Sequence, residues 1–407
     1  MKTRAAVLLA LGVALVARPS RAAGFLIYDI SGSAIARASA VTADDEEPAA
    51  VWFNPANLAF MGGVSASAGG VFITDKTSFS PSGGGAEINT ERGNFLLPEF
   101  FANGRLTDRV ALGMGAFSTF GIGISWPDDW EAGRQAAIKA SLETLTLNPT
   151  VAVLVHPRVS VAAGFDAVRS VVDFTNGLPA IIGGDVRLAG GTWGYGFNVG
   201  ALYKIYPGRL HVALTYRSRV ALHFDDGRAH FTPANPDFAP VLPDQGGTAS
   251  ITLPDIITVG VMGRPRPDLA LSFDANLVLW STYDRIDINF QSAPARAIVP
   301  NGQNAFTLRA GADWTLPGRV PGLHLRGGLI YDESAIPSGN LGPGLPDANR
   351  IDVALGAGYG RGHFRGDLGY LLVVFLPADA TGGTEGPVGT YNTIAHLLAL
   401  TLTATWP

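Results

Sequence analysis

The feature that most constrains this chain is a period of two, sustained for ten residues or more and repeated along almost its whole length. Between Leu210 and Phe224 the even positions include Leu210, Val212, Leu214, Tyr216, Val220, Leu222 and Phe224, while the odd ones carry His211, Thr215, Arg217, Arg219 and His223. Leu269, Leu271, Phe273, Ala275, Leu277 and Leu279 stand opposite Ser272, Asp274 and Asn276. Phe306 to Leu316 and Leu398 to Trp406 repeat the pattern. Successive side chains of a strand point to opposite faces, so each segment has one oily face and one polar face. Strands in globular sheets average about 5–6 residues. Strands of about 10–15 suit a tilted crossing of a bilayer.

Fourteen candidate strands begin near Val64, Phe95, Arg109, Leu142, Val159, Thr192, Leu210, Ile251, Leu269, Phe306, Leu323, Arg350, Phe364 and Ala395. Their links alternate. After the even-numbered strands they are short, as in Leu106-Thr107-Asp108, His156-Pro157-Arg158, Tyr206-Pro207-Gly208 and Arg361-Gly362. After the odd-numbered ones they are long, covering 74–94, 121–141, 173–191, 225–250, 291–305, 332–349 and 377–394. Short turns on one side, long loops on the other and an even count predict an all-β, fourteen-stranded antiparallel transmembrane β-barrel of the outer-membrane kind. A secreted β-sandwich would have shorter strands and no such two-sided asymmetry. Glycine is frequent within the strands, which predicts bulges or close backbone approaches.

Composition agrees with a lipid-facing chain. Charged residues are 15% and mean hydropathy is +0.22, against roughly 25% charged in soluble domains. Beyond the N-terminus the longest apolar run, Leu368 to Leu376, is too short to span and is interrupted by Gly369. Only a closed sheet then satisfies every backbone polar group in lipid. The start has a basic Met1-Lys2-Thr3-Arg4, an apolar Ala5 to Ala17 and a small-residue site at Ser20-Arg21-Ala22. It is expected to be a signal peptide, 1–22, cut before Ala23. Losing its four basic residues moves the formal charge from −5 to about −9, which argues against nucleic acid as a partner. The terminal Pro407 departs from the aromatic end usual in barrels.

Chemistry-bearing patterns are absent. There is no cysteine, hence no disulfide, thiolate metal site or Cys nucleophile. The seven histidines form no HExxH or other close pair, and no GxSxG elbow or P-loop occurs. No metal, cofactor or catalytic residue is expected. By the alternation His211, His223, Arg217, Arg219, Arg309, Asp274, Asp313 and Asp367 face the lumen. They are expected to screen one another in a wet interior. The sharper alternative is that one inward Arg pairs with a ligand carboxylate.

The first residues after the leader do not alternate. They carry Ser31-Gly32-Ser33-Ala34, the acidic run Asp44-Asp45-Glu46-Glu47 and then Val51-Trp52-Phe53-Asn54-Pro55-Ala56. Trp and Phe are costly in water, so a packed plug is expected over 23–62, with the barrel over 63–407. The acidic run is most simply a solvated stretch; the competing idea is a latch onto lumen arginines.

Ala23-Gly24-Phe25, Asp44-Asp45 and Trp52-Phe53-Asn54-Pro55-Ala56 resemble the hatch of the long-chain fatty acid transporter family, which includes importers of aromatic hydrocarbons. Further matches follow in order: Phe120-Gly121-Ile122, Trp126-Pro127-Asp128-Asp129-Trp130, Leu147-Asn148-Pro149, Leu253-Pro254-Asp255, Leu279-Trp280-Ser281, Pro346-Asp347-Ala348-Asn349-Arg350 and Gly389-Thr390-Tyr391. The resemblance implies an N-terminal hatch and passive uptake of a hydrophobic ligand, whether fatty acid, detergent-like or aromatic. It also implies lateral release into outer-membrane lipid, with neither enzymatic activity nor cofactor. It places a kink of the third strand near Phe117 to Gly121, including Phe120 and facing the Asn54-Pro55-Ala56 turn. Ala23, Gly24 and Phe25 would reach the ligand pocket, and the 121–141 loop would form the capture groove. There Trp126, Trp130, Ala136, Ala137, Ile138 and Leu142 are expected on one face of a short helix. The protein is expected to act as a monomer. The rival functions are a general porin for polar solutes, which needs no hatch, and a surface adhesin built on the long loops.

Overall fold

The computed structural model describes residues 24–316, 320–382 and 386–406. The expected leader, Ala23 and Pro407 lie outside them. Among the described residues fourteen antiparallel strands close into one barrel. β1 spans Val64–Pro81, β2 Gly93–Arg105, and β3 is broken into Val110–Phe117 and Gly121–Ser125. β4 is Lys139–His156, β5 Val159–Gly177 and β6 Gly184–Tyr206. β7 is broken into Leu210–Arg217 and Val220–Pro233, and β8 into Gln245–Leu253 and Ile256–Arg266. β9 is Leu269–Val278, β10 Ala305–Thr315 and β11 Leu323–Asp332. β12 is Arg350–Arg361, β13 Phe364–Phe375 and β14 Gly389–Trp406. The circle closes where Val64 meets Trp406 and Pro81 meets Gly389, and the ladder is interrupted at the break in β3.

Facing follows the alternation where strands are unbroken. On β14, Leu398, Leu400 and Leu402 are about half exposed, whereas Ala399 and Thr401 are fully buried. Two expectations are corrected. First, β6, β8 and β14 start well before Thr192, Ile251 and Ala395. Their extensions, 184–191, 245–250 and 389–394, are rich in polar residues and glycine, so the alternation that marks a strand is weak there. Second, His223 faces outward, not into the lumen. Ser218-Arg219 interrupts β7, and the buried positions switch from His211 and Ala213 below to Val220, Leu222 and Phe224 above. β8 makes the same switch across Pro254-Asp255. A one-residue slip in register exchanges the two faces of everything beyond it. Asp255 staples both breaks, accepting from Tyr216 Oη at 2.7 Å, Arg219 N at 3.0 Å and Arg219 Nε at 2.8 Å.

Residues 24–62 pack against the inward face of the strands. They contain short helical turns at Gly32–Ile35, Ala50–Phe53 and Pro55–Ala59. Inward glycines leave room for them. A methyl group on Gly311 would lie 2.3 Å from Arg37 O, on Gly356 2.5 Å from Ala36 Cβ, and on Gly369 2.5 Å from Gly32 O. These are the close backbone approaches that glycine-rich strands allow.

Charges hold the segment as well. Arg37 bonds Asp44 and, at 2.8 Å, Glu47, all three being nearly inaccessible. Burial alone would lower the Arg37 pKa, but Asp44 and Glu47 together push it above its ordinary value. Burial likewise favours neutral Asp44, and the Arg37 guanidinium more than offsets that, holding its carboxyl below the usual range. The expected solvated acidic run is therefore overturned for Asp44 and Glu47. Asp45 pairs with Lys204 of β6, and Glu46 with Arg264 of β8 at 3.0 Å.

The lumen charges do not simply screen one another. Arg309 bonds Asp29 at 2.7 Å and Ala38 O at 3.2 Å, and Asp274 accepts from Thr42 N at 2.9 Å. Arg217 pairs with Asp166, and Arg326 bridges Asp313 and Asp367. Arg219, expected in the lumen, lies instead on the outer face with His223, and its exposed side chain reaches Asp255 at 2.8 Å.

Candidate functional site

Among the described residues, two cavities along the interior stand out. The outer one, about 130 Å³, sits at the long-loop end. Its walls are apolar because the inverted upper arms of β7 and β8 supply Phe224 and Ile251, joined by Ala136, Ala137, Val172 and Leu188. Lys139 and Arg228 supply its positive charge. Lys139 is committed to Asp173 at 2.7 Å; Arg228 forms no ion pair among the described residues. The inner cavity, about 590 Å³, falls within the ~300–1,000 Å³ typical of ligand pockets. It is lined by Gly24 to Ile27, Ile73, Phe95, Phe120 to Gly123, Leu142 and Phe375, with Asp29, Asp75, Glu143 and Arg350 as charged groups.

An aromatic wall separates the two. Phe25 packs edge-on against Trp280 at 4.8 Å, Tyr283 at 5.0 Å and Phe120 at 6.0 Å. Phe25 lines the inner cavity, Tyr283 the outer, and Ile122 both. Gly24 has φ +73°, and a methyl group there would lie 2.6 Å from the Trp280 ring. Only glycine meets both demands. The Asp347 carboxylate accepts a hydrogen bond from the Gly24 backbone, from Ala335 N at 2.7 Å and from Ser334 Oγ at 3.0 Å. Burial, partly offset by these bonds, pushes the Asp347 carboxyl up to about 6.

The inner cavity reaches the outer face of the barrel through the break in β3. The β2–β3 ladder runs from Arg105/Ala111 to Phe100/Ala116 and stops. The upper arm of β3 pairs with β4, Gly121 opposite Glu143. In the gap, Ile27 N bonds Thr119 O at 2.7 Å and Gly121 N bonds Phe25 O at 3.1 Å, so residues 25–27 bridge part of the missing ladder. Leu96 and Leu145, both exposed on the outer face, also line this cavity.

The structure brings Gly24, Phe25, Phe120 and Gly121 together at the inner cavity and disperses the remaining site candidates. Phe117 is buried between Phe101 and Trp52, each ring 5.5 Å away. The Asn54-Pro55-Ala56 turn does not face the kink. It lodges on β5 and β6, where Ser160 Oγ bonds Ala56 O at 2.8 Å and Asn54 Nδ2 bonds Ala201 O at 3.3 Å. The expected helix in 121–141 shrinks to Glu131–Arg134, because Gly121–Ser125 joins the sheet. Trp126 and Trp130 turn away from both cavities and pack on Tyr391 and Phe79 respectively, with Trp126 Nε1 bonding Pro343 O at 2.9 Å. Ala136 and Ala137 of the same loop do line the outer cavity. Sequence reasoning missed Tyr283, Arg228 and Arg350 as lining residues; the nearest signals were Leu279-Trp280-Ser281 for Tyr283 and Pro346-Asp347-Ala348-Asn349-Arg350 for Arg350.

The profile of the family described as outer membrane protein transport protein (OMPP1/FadL/TodX) matches residues 13–374. The long-chain fatty acid transport protein of Escherichia coli O6:H1 is 24% identical over 398 residues, covering 86% of each chain. A FadL homologue from Pseudomonas aeruginosa superposes with a TM-score of 0.84 at 18% identity, covering 95% of this chain and 100% of that one. The toluene transporter TbuX of Ralstonia pickettii superposes at 0.70 and 17% identity, covering 94% and 99%. With more than half its length matched by the profile and its barrel shared with these structures, the chain belongs to the OMPP1/FadL/TodX family of outer-membrane transport proteins.

Proposed function

We propose that this barrel takes up hydrophobic molecules, fatty acids or aromatic and aliphatic hydrocarbons, passively across the outer membrane. The carrying observation is a pair of apolar cavities separated by one aromatic wall, the inner of which opens at the β3 break. Burial of apolar area yields about 25 cal/mol per Å², so the outer cavity captures such a ligand without energy input. Residues 23–62 serve as the hatch, and residues 63–407 as the barrel. Phe25 is the movable part of the wall: its neighbours along the chain are held by a short bridge to Phe120 and by Asp347. A ligand that prefers the displaced state shifts the population toward an open passage. It then leaves sideways between β2 and β4 into lipid, without re-entering water. The names of the relatives support fatty acids and toluene as the classes to try first.

Ile122→Arg places a charge in the wall common to both cavities. A cation placed in an apolar wall without a partner is costly to bury. Uptake of labelled oleate and toluene by cells lacking their own importer should fall about tenfold or more, with heat-modifiable migration of the barrel retained. Unchanged uptake of both would dismiss the route.

A further inference from the structure

We infer that the outer surface over β1, β13 and β14 is a binding seat for an anionic phospholipid of the periplasmic leaflet. Two apolar furrows of about 550 and 500 Å³ lie there end to end, sharing Ala68 and Leu402. Register explains the lower one. Ala68 pairs with both Phe100 and Leu402, Leu402 with Gly366, and Gly366 with Tyr359. Ala68 and Gly366 thus form low points on either side of Leu402, between the aromatic walls of Phe100 and Tyr359, and Ala66 opposite Ala404 extends them. The upper furrow continues over Gly70 and Leu400 to Leu398.

Length and charge identify the occupant. Ala404 to Leu398 is six residue steps, about 20 Å along a strand. At the ~40° tilt usual for such strands this is about 15 Å of depth, half of the ~30 Å hydrocarbon core. One leaflet's acyl chain fits that span. At the lower end Arg361 lines the furrow, is exposed, and makes no ion pair or side-chain hydrogen bond among the described residues. Its neighbour Arg365 is already held by Asp367 at 2.7 Å. Exposed Arg105, Arg109, Arg158 and Arg209 occupy three other short turns. A basic rim spread around the circumference matches a leaflet of anionic headgroups, since a single acidic protein would meet only one side. Arginine stems reach along the interface while their heads stay in water. The phosphate therefore pairs with Arg361 while one chain lies in the furrow.

The test is native mass spectrometry of the protein transferred from nanodiscs of phosphatidylethanolamine and phosphatidylglycerol, three parts to one. Wild type should retain phosphatidylglycerol above its bulk share. Arg361→Gln should lower the retained phosphatidylglycerol-to-phosphatidylethanolamine ratio about fivefold, the worth of one interfacial arginine. Ala68→Phe, which fills the furrow, should reduce retention of both lipids, while Arg109→Gln on another turn should change neither. Heat-modifiable migration checks that each variant is folded. Retention in bulk proportion by wild type would overturn the seat. So would equal loss in Arg361→Gln and Arg109→Gln, or an acidic protein co-purifying through Arg361 in place of lipid.

Discussion

The two ends of the lumen are built from the same strands yet offer opposite environments. Toward the short turns, inward positions are His211, Arg217, Asp274, Arg309, Asp313 and Arg326; Arg217 pairs with Asp166 and Arg326 with Asp313, while His211, Asp274 and Arg309 bond residues 29–47. Toward the long loops, inward positions on β7 and β8 are Val220, Leu222, Phe224, Ile251 and Leu253. The dividing line runs through Ser218-Arg219 and Pro254-Asp255, where the faces exchange. Polar residues fasten the segment at one end, and at the other β7 and β8 turn apolar side chains inward. The difference teaches that lumen chemistry here is set by register as much as by residue choice.

The severest way to break this contrast is to carry charge across the line. Leu222 is fully buried in the upper wall, and Leu222→Asp leaves an ionised group in an apolar site, which is very costly without a partner. Ligand uptake should drop to the background of cells lacking the protein, whereas His223→Asp, one position along and exposed, should leave it within twofold. Next in size, Arg37→Met strips the cation from buried Asp44 and Glu47. Breaking such a pair costs about 3–5 kcal/mol. Hydrogen exchange over residues 29–47 should rise sharply while the β-ladder amides stay protected; unchanged exchange would show that the polar half does not anchor the segment.

A smaller effect is expected from pH. Asp347 has a folded-state carboxyl raised to about 6, above the unfolded value of about 3.9. In that window the folded state binds more protons, so the loop's stability is greatest below about pH 4 and declines as pH rises through 6. After correction for intrinsic exchange, amides of 333–349 should be better protected at pH 5 than at pH 7.5, and Asp347→Asn should flatten the difference. Smallest of all, Arg266→Gln removes an exposed pair with Asp268, worth about 0–1 kcal/mol. The thermal midpoint should barely move, which sets the noise floor for the other comparisons.

Much of the barrel was legible from the residues alone. Alternation is a property of single strands, and loop lengths need no tertiary knowledge, so the starts at Val64, Val159, Leu210, Leu269, Leu323, Arg350 and Phe364 coincide with observed ones. What alternation does not reveal is a change of phase. The even positions from Leu210 to Phe224 look like one continuous oily face, and nothing local announces that Ser218 ends it. The cavities were less legible still. Their walls bring Phe25, Phe120, Trp280 and Tyr283 together from three distant stretches, and Arg350 qualifies only because the inner cavity opens beside it. Trp126 and Trp130 misled for the opposite reason: large aromatics near a proposed groove found better partners in Phe79 and Tyr391.

The paired interruptions in β7 and β8 act as an adjustable waterline. A comb of leucine, valine and phenylalanine serves as hull on one side of the mark and as lining on the other, with no change in its composition. Sliding both marks two residues along their strands preserves phase and relocates the boundary by about 7 Å. A deeper or shallower oily chamber is thus reachable through punctuation alone, by moving where the strands pause.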